Sequence, residues 1–368
     1  MLITRAEVFP IKIPKKTAFK VAYATRTACL GMLLKLTADD GRTGWGEAVP
    51  VAEITGEQRA EVFRALRDWL PGGLIGVDPF DREEIRLRLE RDLANMPSAR
   101  CAVDTALWDL RGQTLGRSVR ELLGRAREVH QASMSMGIKG LAETVGEARN
   151  LLGRGFHDIK VKIGLDLEND VARVKALRRE LGGNWRLYLD ANQGYSPAEA
   201  IKLAEALSGE KVEFIEQPVK AADLDGLTEV TRRSPIPIAA DEAVKDPASL
   251  VRIIERGAAH MINVKLMKCG GPSNAETLIR MAEAAGMKAM IGCMIESRVG
   301  ITAGLNVALA LANVHYIDLD GAFDLVDDVI ATGGAQLADG RQFLAEGPGL
   351  GINVDEEKVK KYLDPDLN

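Results

Sequence analysis

From about residue 128 the chain alternates between two kinds of apolar pattern. Short runs open at 130 (HQASMSM), 158 (DIKVKI), 186 (RLYLDAN), 212 (VEFIEQP), 237 (PIAADEA), 260 (HMINVKL), 288 (KAMIGCM) and 315 (HYIDLD), spaced 23 to 28 residues apart. Between them lie segments whose apolar residues return at helical spacing, such as LENDVARVKALRREL and SPAEAIKLAEALS. In the second, Ser196 is an N-cap and Pro197 takes the first helical position. Eight strands alternating with seven helices predict an α/β chain closed as a (β/α) barrel; an open doubly wound sheet is the alternative.

The rhythm is absent at both ends. Residues 1–60 read as antiparallel sheet, with an Asp39–Gly41 turn between two strand-like runs. FKVAYATRTA, before that hairpin, reads as a polar and flexible link. Residues 57–125 turn helical, and SARCAVDTALWDLRGQTLG has Ser98 as its expected N-cap. The expected domains are therefore an α+β module over 1–125, a barrel over 126–325, and a segment 326–368 that returns to the first module.

Composition narrows the function. At 368 residues, 46% hydrophobic and 27% charged, the chain has the balance of a globular enzyme. A net charge of −5 argues against nucleic-acid or anionic-membrane partners. The opening MLITRAEVFPIKIPKK has no signal-peptide core, and no apolar run approaches a membrane span. Cys29, Cys101, Cys269 and Cys293 are scattered without CxxC spacing, which suits a reducing cytoplasm and indicates neither disulfides nor a thiolate metal site. His130, His157, His260 and His315 sit at or before the starts of predicted strands, where a structural role is expected.

In a barrel the site lies at the C-terminal ends of the strands, and there the unusual charges of this chain collect. Lys160 and Lys162 are late in the second run and share one face of the strand. Asp190, Glu216 and Asp241 with Glu242 end the third, fourth and fifth. Lys265 is late in the sixth, and Asp318 and Asp320 close the eighth. A single acid there is explained by capping the next helix, and a lysine pair by an edge strand facing water. Three acids in succession, facing lysines, point instead to Mg²⁺ or Mn²⁺ held by hard oxygen ligands.

The second and sixth strands face each other across a ring of eight, so Lys162 and Lys265 would flank one substrate carbon. Two such amines suit inversion by proton transfer: one removes a proton and the other returns it to the opposite face. A proton α to a carboxylate is barely acidic, so the metal must take up the developing enediolate charge. Like-charge repulsion from Lys160 is expected to lower the pKa of Lys162. Lys268, three residues beyond Lys265, is expected to point away from the site. Asp318 and Asp320 would suit an ammonium group of the substrate.

These residues resemble the enolase superfamily, in its muconate-lactonizing-enzyme subgroup, and most closely the dipeptide epimerases. The likeness runs through GWGEA (Gly44–Ala48), Ile54-Thr55-Gly56, DIKVKIG, LDANQG (Leu189–Gly194), EQP (Glu216–Pro218), ADE (Ala240–Glu242), NVKLMKCGG (Asn263–Gly271), GCMIES (Gly292–Ser297) and DLD (Asp318–Asp320). The resemblance implies a capping domain over a (β/α)₇β modified TIM barrel. It implies Mg²⁺ on Asp190, Glu216 and Asp241, Lys162 and Lys265 as the bases, Lys160 in support, and Asn192 and Glu242 behind the metal ligands. Asp318 and Asp320 would receive the free amine of a dipeptide, a feature that cycloisomerases, N-acylamino-acid racemases and o-succinylbenzoate synthases do not need. Met294, Ile295, Tyr23 and Arg26 would line the substrate pocket, and a homo-oligomer is expected. One position departs from the pattern. Epimerases of Ala-Glu carry arginine where this chain has Ala24, with Arg26 two residues on. Either the C-terminal residue of the substrate is not Glu, or Arg26 reads it.

Overall fold

The computed structural model describes residues 1–367. Strands β1 (Ile3–Lys20), β2 (Thr25–Ala38) and β3 (Thr43–Ala48) form an antiparallel sheet in sequence order. The Asp39–Gly41 turn stands as expected, with Gly41 at φ +84°. The polar stretch after Phe19 is not a flexible link. Pairing runs on through Phe19↔Arg26 and Lys20↔Thr25, so the stretch is the tip of a long hairpin that turns over residues 21–24. Its polarity reflects a ribbon that projects beyond the core.

The helix Pro97–Leu115 packs across this sheet, and β3 approaches it so closely that only glycine fits. A Cβ on Gly46 would stand 2.0 Å from the Ala102 carbonyl oxygen, and one on Gly44 2.2 Å from that of Ala106. Ser98 is not the N-cap. Met96 precedes the helix, Pro97 opens it, and the buried Ser98 donates from its amide (3.0 Å) and its hydroxyl (2.7 Å) to Glu57 Oε1. The acceptor for the free helix amides therefore comes from a distant carboxylate.

The first predicted barrel run divides. β4 (Val129–Gln131) pairs antiparallel with Arg341–Phe343, which uses its ladder groups, and only β5 (Ser133–Met136) enters the barrel. There follow β6 (Asp158–Lys162), β7 (Arg186–Asp190), β8 (Val212–Glu216), β9 (Ile238–Ala240), β10 (Met261–Lys265), β11 (Lys288–Gly292) and β12 (Val314–Asp318). β5 to β12 lie side by side, all parallel, in sequence order. Side chains help to close the seam: Ser133 Oγ donates to Ile317 O at 2.7 Å, and Asp320 Oδ2 accepts from Ser135 N at 2.7 Å. Tyr188, Phe214, Ala239, Met261, Met290 and Tyr316 fill the lower barrel, with the Tyr188 and Phe214 rings stacked at 4.7 Å. Because strand side chains alternate, the residues two further along project into the layer above.

The C-terminal segment touches both parts. Its strands Ala335–Ala338 and Arg341–Leu344 join β4, while Asp364 N donates to Pro10 O at 2.8 Å and Asp364 pairs with Arg59. Among the described residues no helix is long and apolar enough to cross a membrane.

Candidate active site

One step above the aromatic layer stand Asp190, Glu216, Asp241, Asn263, Gly292 and Asp318, each two residues beyond a member of that layer. Strand register aligns Lys162 with Asp190 and Asp190 with Glu216; on the other side it aligns Lys265 with Gly292 and Gly292 with Asp318. β6 and β10 are four strands apart, so Lys162 and Lys265 enter from opposed walls. Lys162 Nζ lies 2.5 Å from Asp190 Oδ2, and Lys265 Nζ 2.7 Å from Asp241 Oδ2. Lys160 rises from the layer beneath, fully buried, with its ammonium 3.0 Å from Asp190 Oδ2 and 2.8 Å from both Glu216 Oε2 and Asp318 Oδ2.

Lys268 corrects an expectation. β10 ends at Lys265 and a short helix, Leu266–Cys269, begins at once, so helical rather than alternating geometry governs position 268. The side chain returns to the site, is buried, and donates to Asp241 O, Asp241 Oδ1 and Asn263 O. Asp241 therefore has an ammonium on each carboxylate oxygen.

The charges control one another. Burial alone would raise the Asp190 carboxyl, but Lys160, Lys162 and Lys265 hold it far below the usual carboxylate range. Asp241 is held low against its burial by Lys265 and Lys268. Glu216 is pushed up to about 8 by burial and by Asp190, and Glu242 to about 7 by burial and by Asp241. The amines of Lys160 and Lys265 are set by the acids around them. Burial lowers both, yet the surrounding acids outweigh it, and both stay raised well above the ordinary lysine value.

Among the described residues no three His, Cys, Asp or Glu side chains stand in a metal-holding geometry. Ammonium groups sit between the acids instead. The donor set nonetheless suits a hard divalent cation: Asp190, Glu216 and Asp241 offer only carboxylate oxygens at one level. Glu216 Oε2 is buried without a hydrogen bond, its Lys160 contact being an ion pair off hydrogen-bond angle, and Glu242 Oε2 and Asn192 Oδ1 are buried orphans nearby. Such unpaired buried oxygens call for a cation or another donor.

Above this layer opens a cavity of about 390 Å³. Lys162, Lys265, Asn192, Asp318, Asp320, Met294, Ile295, Tyr23 and Arg26 line it, so the cap supplies one wall and the barrel the floor. Lys160, Asp190, Glu216, Asp241 and Glu242 are buried behind that floor. Burial pushes the Tyr23 phenol up in spite of Lys265, which keeps it protonated. Asp318 spends both oxygens inside the protein, on Lys160 and on Ser135 Oγ at 2.8 Å each. Burial and Asp318 push Asp320 up to about 6. His260 stays at the opposite rim, where its Nδ1 accepts from Ile238 N at 3.0 Å.

Residues 3–124 match the family model described as the mandelate racemase / muconate lactonizing enzyme N-terminal domain, and residues 143–358 the enolase C-terminal domain-like model. The chain belongs to the enolase superfamily. Within it, the chain is 34% identical over 355 residues to an L-Ala-D/L-Glu epimerase of Clostridium acetobutylicum, covering 96% of this chain and 99% of that one. It is 36% identical over 355 residues to a hydrophobic dipeptide epimerase of Enterococcus faecalis, covering 96% and 100%. The solved structure of a dipeptide epimerase from Enterococcus faecalis, complexed with Mg and L-Leu-L-Tyr, matches at a TM-score of 0.93 with 35% identity, over 96% of this chain and 100% of that one. The chain is thus an enzyme of the racemase and epimerase kind, in the muconate-lactonizing-enzyme subgroup.

Several residues of this superfamily member escape reasoning from spacing alone. Gln217, at φ +35°, accepts from Asp241 N (2.9 Å) and Ala243 N (3.0 Å) through Oε1 and so fixes the turn that carries Asp241. Asn263 Nδ2 donates to Glu216 Oε1 at 2.8 Å. Glu47, inside GWGEA, is buried and accepts from Ser297 N, Ser297 Oγ and Gly300 N, which pins the cap to the loop that carries Met294 and Ile295. These positions lie inside motifs already conspicuous in the sequence, but nothing in one strand's pattern tells which partner a neighbouring strand supplies.

Proposed function

We propose that the chain epimerises dipeptides at the Cα next to the C-terminal carboxylate, by 1,1-proton transfer between Lys162 and Lys265, with Mg²⁺ (or Mn²⁺) on Asp190, Glu216 and Asp241. The observation that carries the reading is the pair of opposed lysines over a layer of buried acids. A bound divalent ion supplies Lewis-acid stabilisation of the charge that develops on the substrate carboxylate. Lys162 takes the Cα proton from one face and Lys265 delivers one to the other. Asp190 Oδ2 and Asp241 Oδ2, which hold these two ammonium groups, also belong to the proposed donor set. Asp241 is among the acids that raise the Lys265 amine, so Lys265 released from it gives up its proton more readily. Lys160 keeps Asp190, Glu216 and Asp318 from repelling one another, and Asp320 meets the substrate amine.

The test is deuterium uptake at Cα in D₂O by mass spectrometry, with both diastereomers of a dipeptide set. Lys162→Ala and Lys265→Ala each lose interconversion of the diastereomers while exchange from a single face survives. Chelation with EDTA stops exchange and Mg²⁺ restores it. Either lysine variant epimerising at the unaltered rate would refute the assignment.

A further inference from the structure

Most of the charged side chains along the cavity wall are paired, Arg154, which lies over the Phe156 ring, being an exception among the described residues. Arg26 Nη2 is held by Glu53 Oε2 at 2.8 Å on the hairpin side. Lys15 of β1 pairs with Asp324 at 3.1 Å, and Lys139 with Glu147 at 3.0 Å. Tyr23, Leu30, Val51, Ile54 and Ile295 line the same cavity as Arg26 and add apolar carbon to it.

Resting on the epimerase reading above, we infer that the substrate carries an uncharged, apolar side chain at its C-terminal residue, and that the Arg26–Glu53 pair is the element that sets this preference. An acidic side chain entering beside Arg26 meets apolar carbon or an arginine that already holds a carboxylate. To gain Arg26 it must share or displace Glu53 at a partly exposed pair, which brings little net return. A basic side chain meets the mirror problem, because Arg26 already holds Glu53. An apolar side chain asks neither group to let go, and gains from the carbon around it. Rejection by unrewarded desolvation is how such a pocket discriminates.

The pair makes reciprocal predictions. The experiment measures kcat/KM by Cα deuterium uptake in D₂O with Mg²⁺ for L-Ala-L-Leu, L-Ala-L-Phe, L-Ala-L-Glu and L-Ala-L-Lys. The unaltered enzyme prefers Leu and Phe over both charged residues by about tenfold or more. Glu53→Gln frees Arg26 and raises the Glu-to-Leu ratio about fivefold without raising the Lys-to-Leu ratio. Arg26→Gln frees Glu53 and raises the Lys-to-Leu ratio instead. Turnover of L-Ala-L-Glu or L-Ala-L-Lys equal to that of L-Ala-L-Leu, or ratios that ignore both substitutions, would overturn the inference while leaving the epimerase reading intact. Exchange with none of the four dipeptides, nor with a wider set, would overturn both.

Discussion

Asp320→Asn tests the proposal that this carboxylate separates a dipeptide from an N-acylated amino acid. Asp318 already gives its two oxygens to Lys160 and Ser135 Oγ. Asp320 gives one oxygen to Ser135 N at 2.7 Å, and the other has no hydrogen-bond partner among the described residues. That second oxygen is the one available to an incoming ammonium. Removing one partner of a desolvated charge pair costs about 2–5 kcal/mol. Asp320 lines an open cavity, so the lower part of that range, about 2–3 kcal/mol, applies; this is roughly 30- to 150-fold in kcat/KM. The N-acetylated form of the same dipeptide has no ammonium to lose and should change by less than about threefold. The pH profile gives a second readout. Asp320 is pushed up to about 6, so below that pH it is protonated and cannot pair with the amine. kcat/KM, which reports the free enzyme, therefore falls as pH drops through about 6, and the substitution removes that limb. Equal losses for free and acetylated substrates would make Asp320 structural. No loss for either would mean that the amine binds elsewhere and would restore a racemase or cycloisomerase activity on this scaffold as the better reading.

Two further outcomes test the supporting architecture. Lys268→Met strips Asp241 of the donor on its Oδ1 and its carbonyl, and should cost about 2–4 kcal/mol of stability; an unchanged urea midpoint would refute its place in the acid layer. Glu296 is buried and pushed up to about 8 by burial and by Glu47. The folded chain thus holds a proton that the unfolded chain releases near pH 4.5, and this contribution is full below that pH and lost as pH rises through about 8. Glu296→Gln should therefore raise Tm relative to the unaltered protein more at pH 8.5 than at pH 5, and a difference independent of pH would contradict the burial argument.

The hairpin and helix limits show how local signals fare. The Asp39–Gly41 turn formed because a left-handed glycine is a property of the residue itself. Ser98 failed as a cap although its chemistry suits one, because Pro97 before it already opens the helix and Glu57 supplies the acceptor from elsewhere. The Phe19–Ala28 stretch looked loose by composition, yet its backbone pairs through Phe19↔Arg26. Composition reports what faces water, not what is hydrogen-bonded.

Alternation and recurrence along the chain were enough to predict the eight strands, the end of the barrel where the unusual charges collect, and the shared face of Lys160 and Lys162. Those properties follow from a period of two within a strand and a regular spacing between strands, both written in one dimension. Only the tertiary structure decided that Lys268 turns back to hold Asp241, that Asp318 is spent on Lys160 while Asp320 stays available, and that Arg26 is neutralised by Glu53. Each of those depends on which carboxylate a distant segment brings within about 3 Å of a cationic side chain. Charge pairing at that range depends on distance in space, and the order of residues along the chain does not encode it.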